Sequence, residues 1–313
     1  MKLLAAIFAF FIPLIVQAQS VDSQNLTVQG LGISPFLIET TIEPGKEQLQ
    51  HITLTNTTSA PLPITISIND FVPSGEHGQA SFLLANETSD PRFSLSTWIK
   101  IVQQPAFTIP PHGQTQVVFS ITPPLDAEVG THYGGLLFAY HPLSNSNTNV
   151  SVTEKAGTLI LAKFGKVVEK GSITDFTAES SLGFSKTNFL LSFYNQGNAH
   201  IKPKGEIHIE NMFGQEVASL PVNRDANIVL PESERNFENT WLPGWRFGRY
   251  KATAILFFGT PKLEVRNEVV FWIIPWQRIL FVLFVFMIAI WLAVFAIRRY
   301  NSWLLRRKTH KHK

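Results

Sequence analysis

The chain contains no cysteine in its 313 residues. Disulfide bonds, thiol nucleophiles and thiolate metal ligands are therefore excluded. Secreted domains from disulfide-forming compartments usually carry some cysteine. For an exported chain of this length, the lack of cysteine argues against an animal cell-surface receptor and suits a bacterium with one membrane and a thick wall.

The sequence also lacks the short motifs of common catalytic sites. It has no Gly-x-Ser-x-Gly nucleophile elbow and no glycine-rich phosphate loop. Its nine histidines are scattered, and none forms the helical pair of a zinc hydrolase. Asp70 and Glu76 flank a loop rich in Pro, Ser and Gly, where acidic side chains are usually solvated. We expect no enzyme, no metal site and no cofactor.

A sustained helical period is missing between the two ends of the chain, and a period of two takes its place. Ile64, Ile66 and Ile68 alternate with polar residues, and Ile207 and Ile209 do the same. Such alternation is typical of strands with one face on a core and the other in water. Recurring Pro and Gly between these segments indicate short strands joined by turns. We predict an all-β fold of antiparallel sandwiches.

A weak internal repeat indicates that there are two such sandwiches. In each half a strand ends at an asparagine, Asn56 or Asn195, and a proline-led strand follows. A tyrosine, Tyr133 or Tyr250, then opens a late strand. A tyrosine in that place is typical of the tyrosine corner of immunoglobulin-like domains, where its hydroxyl ties a loop to the sheet.

We therefore predict two tandem immunoglobulin-like β-sandwiches, at residues 25–166 and 167–274, followed by one membrane helix. Together they are too long for one sandwich of about 100 residues and suit two domains of ordinary size.

Two apolar segments lie at the ends of the chain. Residues 1–18 have a positive start at Lys2, an apolar run and a small-residue cleavage site, which is the pattern of a signal peptide. Residues 279–297 contain no charge, Gly or Pro. As a helix they are about 28 Å long, close to the hydrocarbon thickness of a bilayer. We predict a single transmembrane helix there.

Aromatic and basic residues mark the limits of this helix. Tryptophan and tyrosine favour the two membrane–water interfaces, and basic residues that follow a span stay in the cytoplasm. The predicted anchor residues are Trp272, Trp276, Arg298, Arg299, Tyr300 and Trp303. Residues 298–313 are therefore expected to form a basic cytoplasmic tail, with the long N-terminal part outside the cell membrane.

The charge divides along the same line. The whole chain has 26 basic and 23 acidic residues, a net charge of +3. Without Lys2 and the seven basic residues of the tail, 18 basic residues face the same 23 acidic ones, a net charge of −5. An acidic exterior gives no electrostatic basis for binding nucleic acid.

The candidate binding residues are His132, Tyr133, Gly134 and Gly135, in an otherwise apolar strand. Adjacent glycines weaken a strand and indicate a bulge or a close approach by a ligand or another backbone. An aromatic ring and an imidazole beside them would form a small platform for a sugar. In the alternative interpretation, the tyrosine is a corner residue and the glycines relieve crowding.

The layout resembles that of the WxL-interacting proteins of Gram-positive bacteria. The residues that carry the resemblance lie in the first domain and are Ile33-Ser34-Pro35, Pro44-Gly45, Leu54-Thr55-Asn56 and Tyr133-Gly134-Gly135. The resemblance implies peptidoglycan binding by the first domain, alongside a secreted surface protein. Host binding by the second domain is not implied, because that domain shows only general sandwich features.

The expected function is a membrane-anchored binding or scaffolding protein that contacts cell-wall glycan (peptidoglycan) or a secreted surface protein. The alternative is a membrane-tethered assembly chaperone, which would hold a secreted subunit at an unpaired strand edge. A third interpretation is an adhesin-type receptor with glycans on sequons such as Asn56 and Asn86.

Overall fold

The computed structural model describes residues 25–28, 30–83, 87, 89–140, 153–179, 181–182, 186–244 and 247–309. The predicted signal peptide lies outside the described residues, as do the last four residues of the predicted tail. Up to Ile274 the described chain consists of strands and one short 3-10 helix (Ser96–Trp98), and it ends in a single α-helix, α1 (Trp276–Thr309). The predicted fold class is thus confirmed.

The first group of strands contains β1 (Leu26–Val28), β2 (Leu31–Ser34), β3 (Leu37–Ile42), β4 (Gln48–Asn56), β5 (Leu62–Asn69), β6 (Phe71–Ser74), β7 (Gln79–Phe82), β8 (Ile99–Ile101), β9 (Ala106–Ile109), β10 (Gln114–Ile121), β11 (Gly130–Tyr140) and β12 (Glu154–Phe164). Two five-stranded sheets, β1-β2-β4-β10-β8 and β3-β12-β11-β5-β9, face each other. The alternating inward residues of both sheets form one core. The β6–β7 hairpin lies outside this sandwich.

The second group contains β13 (Gly171–Ala178), β14 (Ser181–Leu182), β15 (Thr187–Asn195), β16 (Lys204–Asn211), β17 (Glu216–Val222), β18 (Glu234–Trp241), β19 (Gly248–Phe258) and β20 (Leu263–Ile274). They form the sheets β13-β15-β18 and β14-β20-β19-β16-β17 around a second core. The predicted boundary between residues 166 and 167 falls between the two groups of strands.

The two asparagines of the sequence repeat make matching hydrogen bonds. The side-chain amide of Asn56 donates to the carbonyls of Ala60, at 2.7 Å, and Ile109. The side-chain amide of Asn195 donates to those of Ala199, at 2.8 Å, and Val229. Each asparagine is fully buried and ties the end of its strand to the loop that leads into the proline-led strand. The repeat in the sequence is therefore a repeated structural device.

Helix α1 follows β20 after one residue, Pro275. The segment Ile279–Tyr300 is long and apolar enough to cross a membrane, and its window of highest hydropathy is not buried against the rest of the protein. Such a helix is stable in lipid, because all its backbone polar groups are satisfied within the segment.

Candidate functional site

A cleft of about 750 Å³ lies between the two sandwiches. Its apolar wall includes Leu37, Leu159, Leu161, Ile228 and Leu230. Polar side chains at its margins come from both sandwiches and are Glu39, His51, Lys202 and Arg235. The cleft exists because the second sandwich packs against the outer face of the β11–β12 sheet, where Tyr133 and Leu161 share a buried cluster with Leu230.

A chain of hydrogen bonds joins the sandwiches at one side of this cleft. The Nε2 atom of His200 donates to Glu39 Oε1 at 2.9 Å, and the Thr131 hydroxyl donates to His200 Nδ1 at 3.0 Å. The same Thr131 oxygen accepts the backbone N–H of His200 at 3.0 Å. Lys202 completes the chain by pairing with the other Glu39 oxygen. This arrangement fixes the neutral His200 tautomer that carries its proton on Nε2.

The pKa shifts in this group follow from its contacts. The hydrogen bond from His200 lowers the pKa of Glu39 to about 2, against the opposing effect of burial and with further help from Lys202. Burial lowers the pKa of His200, because the charged imidazolium would lose its hydration. At neutral pH the group therefore holds an ionised Glu39 and an uncharged His200.

A second set of contacts also joins the two sandwiches. Arg92 pairs with Glu232 at 3.0 Å and with Asp90 at 2.8 Å. Arg235 donates to the carbonyl of Gly78 in the β6–β7 hairpin at 3.2 Å. The two sandwiches thus meet through a buried apolar cluster and two sets of polar contacts.

His132, a predicted binding residue, is 1% exposed. Its Nε2 atom lies 2.8 Å from the Glu128 carbonyl, its Nδ1 atom lies 3.2 Å from the Ser94 carbonyl, and the Trp98 ring covers it at 4.1 Å between centroids. Burial lowers the pKa of His132. Both imidazole nitrogens are therefore occupied by backbone carbonyls, and the ring is covered by Trp98.

Tyr133 is also buried, on the outer face of the sheet. Its ring lies 5.3 Å from that of Phe71 and is stacked at 5.6 Å on that of Phe93. Burial raises the pKa of Tyr133. The tyrosine of the second half, Tyr250, reaches the carbonyl of Phe247 at 3.5 Å, a local contact of the type made by corner tyrosines.

Gly134 makes room for a buried carboxylate. A Cβ atom on Gly134 would lie 3.0 Å from Asp70 Oδ1. Asp70 is 8% exposed and accepts hydrogen bonds from the Ser89, Ser94 and Ser96 hydroxyls and from two backbone N–H groups, those of Leu95 and Ser96. Burial opposes its ionisation, but these donors hold the pKa of Asp70 below its usual value. The expectation of a solvated Asp70 is wrong, because the serines of its loop fold back over it.

Gly135 lies beneath an aromatic ring. A Cβ atom there would lie 2.2 Å from the Thr158 carbonyl oxygen and 3.0 Å from the Phe82 ring. Gly157, which lies diagonally from Gly135 on β12, has the same ring 2.9 Å from its Cβ position. The two glycines thus form a flat floor on which the β6–β7 hairpin packs through Phe82. The structure brings the four predicted residues together as packing elements, and sugar binding by them stays a prediction.

A different feature of the same sheet is open. Strand β3 pairs with β12 in parallel only from Leu159 to Phe164. Among the described residues, no strand pairs with the outer side of β12 between Glu154 and Thr158. We call this segment the open edge.

The direction of the backbone groups at the open edge follows from the pairing. The N–H of Leu159 donates to the carbonyl of Phe36, so it points away from β11. Because the direction of backbone groups alternates with a period of two, those of Gly157 and Lys155 point the same way. Two N–H groups and two carbonyls therefore face outward beside the start of β3.

The predicted membrane-anchor residues lie at both ends of the apolar segment of α1. Trp272 is at the end of β20 and Trp276 begins the helix, and both are about half exposed. Arg298, Arg299 and Tyr300 are exposed on the helix. Trp303 belongs to the helix, but its side chain lies outside the described residues. The direction in which the helix crosses the membrane stays a prediction.

Sequence reasoning missed Glu39, Thr131, His200 and the open edge. Thr131 directly precedes the four predicted binding residues, but its partner follows 69 residues later in the chain. A usable signal for the contact was the pair His200 and Lys202 shortly after Asn195, in which the histidine lies between two apolar residues. Within the described part of the chain, no group of three His, Asp or Glu side chains could hold a metal ion.

Comparisons with known proteins give a likeness of fold. Neither a protein-family model nor a curated protein sequence matches the chain. The YadV chaperone structure is similar over 77% of this chain and 99% of its own length, with 8% identity and a TM-score of 0.41. The chaperone–tip subunit complex CsuC–CsuE of Acinetobacter baumannii matches 74% of this chain and 96% of the other, with 12% identity and a TM-score of 0.36. The E. coli chaperone DraB matches 76% and 95%, with 9% identity and a TM-score of 0.36. At these TM-scores the similarity is too weak to support an inference about function. The function is therefore inferred from the geometry of the chain itself.

Proposed function

We propose that this protein is a membrane-tethered assembly chaperone that holds an extended segment of a secreted protein on the outer side of the membrane. The observation that carries the proposal is the open edge of β12. An unpaired strand edge binds extended polypeptides by adding them as a further strand, and its main-chain hydrogen bonds supply affinity.

The neighbourhood of the open edge suits such a strand. Pro35 and Phe36, which contact β12 where the open edge stops, also line the cleft. A strand added at Lys155 and Gly157 would therefore lead toward an apolar cleft between the sandwiches. The half-buried Phe82 ring, which covers Gly157, offers an apolar contact for a side chain of the added strand.

Lys155 limits what binds at this edge. Its side chain is exposed at the sheet margin, and charged side chains on edge strands discourage indiscriminate pairing and aggregation. An unpaired strand edge that carries a charged residue suits a protein that binds one kind of partner. We include in this proposal that the partner is a secreted or surface protein and that the sandwiches lie outside the cell membrane.

Peptidoglycan binding, the activity implied by the resemblance to WxL-interacting proteins, is the second candidate. It would use His132 and Tyr133, whose rings are buried beneath the segment that contains Phe93 and Trp98. The open edge needs no such rearrangement. The strand-addition function is therefore the one that the geometry favours.

The test uses the affinity-tagged full-length chain in its own host, with extracytoplasmic proteins identified after purification from membranes. Lys155→Pro removes one of the outward N–H groups of β12. The hydrogen bonds between β12 and β11 stay intact, because proline is tolerated where the N–H of an edge strand faces outward. Lys155→Ala is the matched control, which removes only the charged side chain. We expect a secreted protein to co-purify with the wild type and with Lys155→Ala, and to be lost with Lys155→Pro.

Recovery of the same secreted protein with Lys155→Pro would contradict strand addition at this edge. Recovery of wall fragments in place of a protein, unchanged by either substitution, would favour the peptidoglycan alternative.

A further inference from the structure

A ring of exposed apolar side chains lies at one end of the second sandwich. Phe213 is 79% exposed and Leu242 is 73% exposed, and Met212 and Phe247 are also largely exposed. Single exposed apolar residues are ordinary, but several on neighbouring turns mark an interaction surface. We call these four residues the apolar rim.

The strand pairing places these residues at the same end. Met212 and Phe213 form the turn after β16, where Asn211 pairs with Tyr250 near the start of β19. Phe247 directly precedes β19, and Leu242 directly follows Trp241, whose ring contacts that of Tyr250 at 5.4 Å. The methyl carbon of Met212 lies 2.8 Å from the position that a Cβ atom on Gly248 would take. The turn after β16 therefore contacts the start of β19.

The same end of the sandwich carries the membrane helix. Gly248 pairs with Ile273 of β20, and α1 begins at Trp276. The connecting residue, Pro275, is buried, and its carbonyl accepts the N–H of Ile279 at 3.2 Å as the first bond of the helix. The sandwich therefore has no flexible linker that would let it move away from the helix.

The distance to the membrane follows from the helix geometry. The apolar segment begins at Ile279, three residues after Trp276, so the helix start lies only about 5 Å above the hydrocarbon at 1.5 Å per residue. The headgroup layer on each side of a bilayer is itself about 5–8 Å thick. The end of the sandwich must then lie within the headgroup layer, where Trp, Phe and Leu side chains are stabilised.

We propose that the apolar rim inserts into the lipid headgroup layer and seats the second sandwich directly on the membrane surface. This proposal rests on the membrane insertion of α1, which the proposed function also requires. Arg249 and Glu216, which stand next to the rim and are exposed, limit the depth to that of the headgroups, because charged side chains do not enter the hydrocarbon without cost. Seating on the membrane would hold the open edge at a fixed height above the surface.

The test uses the full-length chain reconstituted in phosphatidylcholine–phosphatidylglycerol vesicles. Because the chain has no cysteine, one introduced cysteine takes an environment-sensitive fluorophore at a single place. Leu242→Cys reports on the rim, and Leu263→Cys, at the opposite end of β20, is the matched control. Ile288→Cys reports on helix insertion. For the labels at positions 242 and 263, fluorescence in vesicles whose lipids carry a quencher near the headgroup is compared with fluorescence in vesicles without quencher. For the label at position 288, the quencher is placed deep in the lipid acyl chain.

We expect the label at position 242 to be quenched about twofold or more while the label at position 263 is unaffected, as for a group at the interface. The double substitution Phe213→Ser and Phe247→Ser should reduce the quenching at position 242. Equal, negligible quenching at positions 242 and 263 with strong quenching at position 288 would overturn the rim proposal alone. Absence of quenching at position 288 would overturn both this proposal and the membrane anchor.

Discussion

Asn56 and Asn195 each hold the end of a strand through a fully buried side-chain amide. Replacement of either by alanine removes the side-chain hydrogen bonds that the amide donates to buried carbonyls. We expect each substitution to lower the free energy of unfolding of its own sandwich by about 2–4 kcal/mol, since several buried hydrogen bonds are lost together. Amide hydrogen exchange in the strands of that sandwich measures the change. Gln114→Ala, on the exposed face beside Thr55, is the control and should change the free energy by less than about 0.5 kcal/mol.

The pair Glu39 and His200 makes the contact between the sandwiches sensitive to acid. The pKa of Glu39 falls from 4.5 to about 2 on folding, so its stabilising effect is complete above pH 4.5 and is lost as the pH falls toward 2. The pKa of His200 is lowered from 6.5, so its protonation below pH 6.5 also favours the separated or unfolded state. Both groups act in the same direction.

We therefore expect stability to fall on acidification below about pH 6.5, most steeply below 4.5. In Glu39→Gln the part of this dependence between pH 4.5 and 2 should be shallower, because the amide does not titrate. Denaturant unfolding of the wild type and of Glu39→Gln over this pH range measures the free energy of unfolding. Parallel curves for the two proteins would show that Glu39 is not the group responsible.

At the scale of the element, β11 combines two glycines with different neighbours. Gly135→Ala would place a methyl group 2.2 Å from a backbone oxygen, whereas in Gly134→Ala the nearest atom is the Asp70 carboxylate at 3.0 Å. We expect Gly135→Ala to destabilise the first sandwich by about 3 kcal/mol or more and Gly134→Ala by less, since a side chain can move more easily than a strand. Thermal unfolding of the purified chain gives the order.

The control for this pair is Gly32→Ala in β2, whose Cβ position meets only an ordinary contact at 3.4 Å. It should leave the stability almost unchanged. Equal losses of stability in Gly32→Ala and Gly135→Ala would contradict the packing role of Gly135. They would favour the interpretation in which the glycine pair makes room for a ligand.

The sequence alone was sufficient for the strands and for the asparagine repeat, because alternation and strand-end asparagines are local signals. It was not sufficient for Asp70, since turn-flanking acids are usually solvated and only the fold shows that Ser89, Ser94 and Ser96 return to cover it. The open edge was equally hidden. It depends on where β3 stops pairing with β12, a contact between segments more than 100 residues apart.

At the scale of the whole molecule, two groups of contacts fix the angle between the sandwiches. In the first group Thr131 and Glu39 contact His200, and in the second Arg92 contacts Glu232. A buried apolar cluster also joins the two sandwiches. Interfaces between domains in one chain are usually mobile unless they are large and apolar. This interface combines a buried apolar centre with the buried contact between Thr131 and His200, and we infer that it holds the sandwiches in one arrangement.

Spin labels on Leu49→Cys and Leu263→Cys, one on each sandwich, test this inference in the otherwise cysteine-free chain. We expect a single narrow distance distribution at pH 7, which broadens when Glu39→Ala and His200→Ala are combined, because the chain of hydrogen bonds through Thr131 is then interrupted. Glu43→Ala, which removes an exposed pair with Lys46, should leave the distribution unchanged. A distribution that is already broad in the labelled parent would mean that the cleft opens and closes freely, and the open edge would then act without a fixed neighbour.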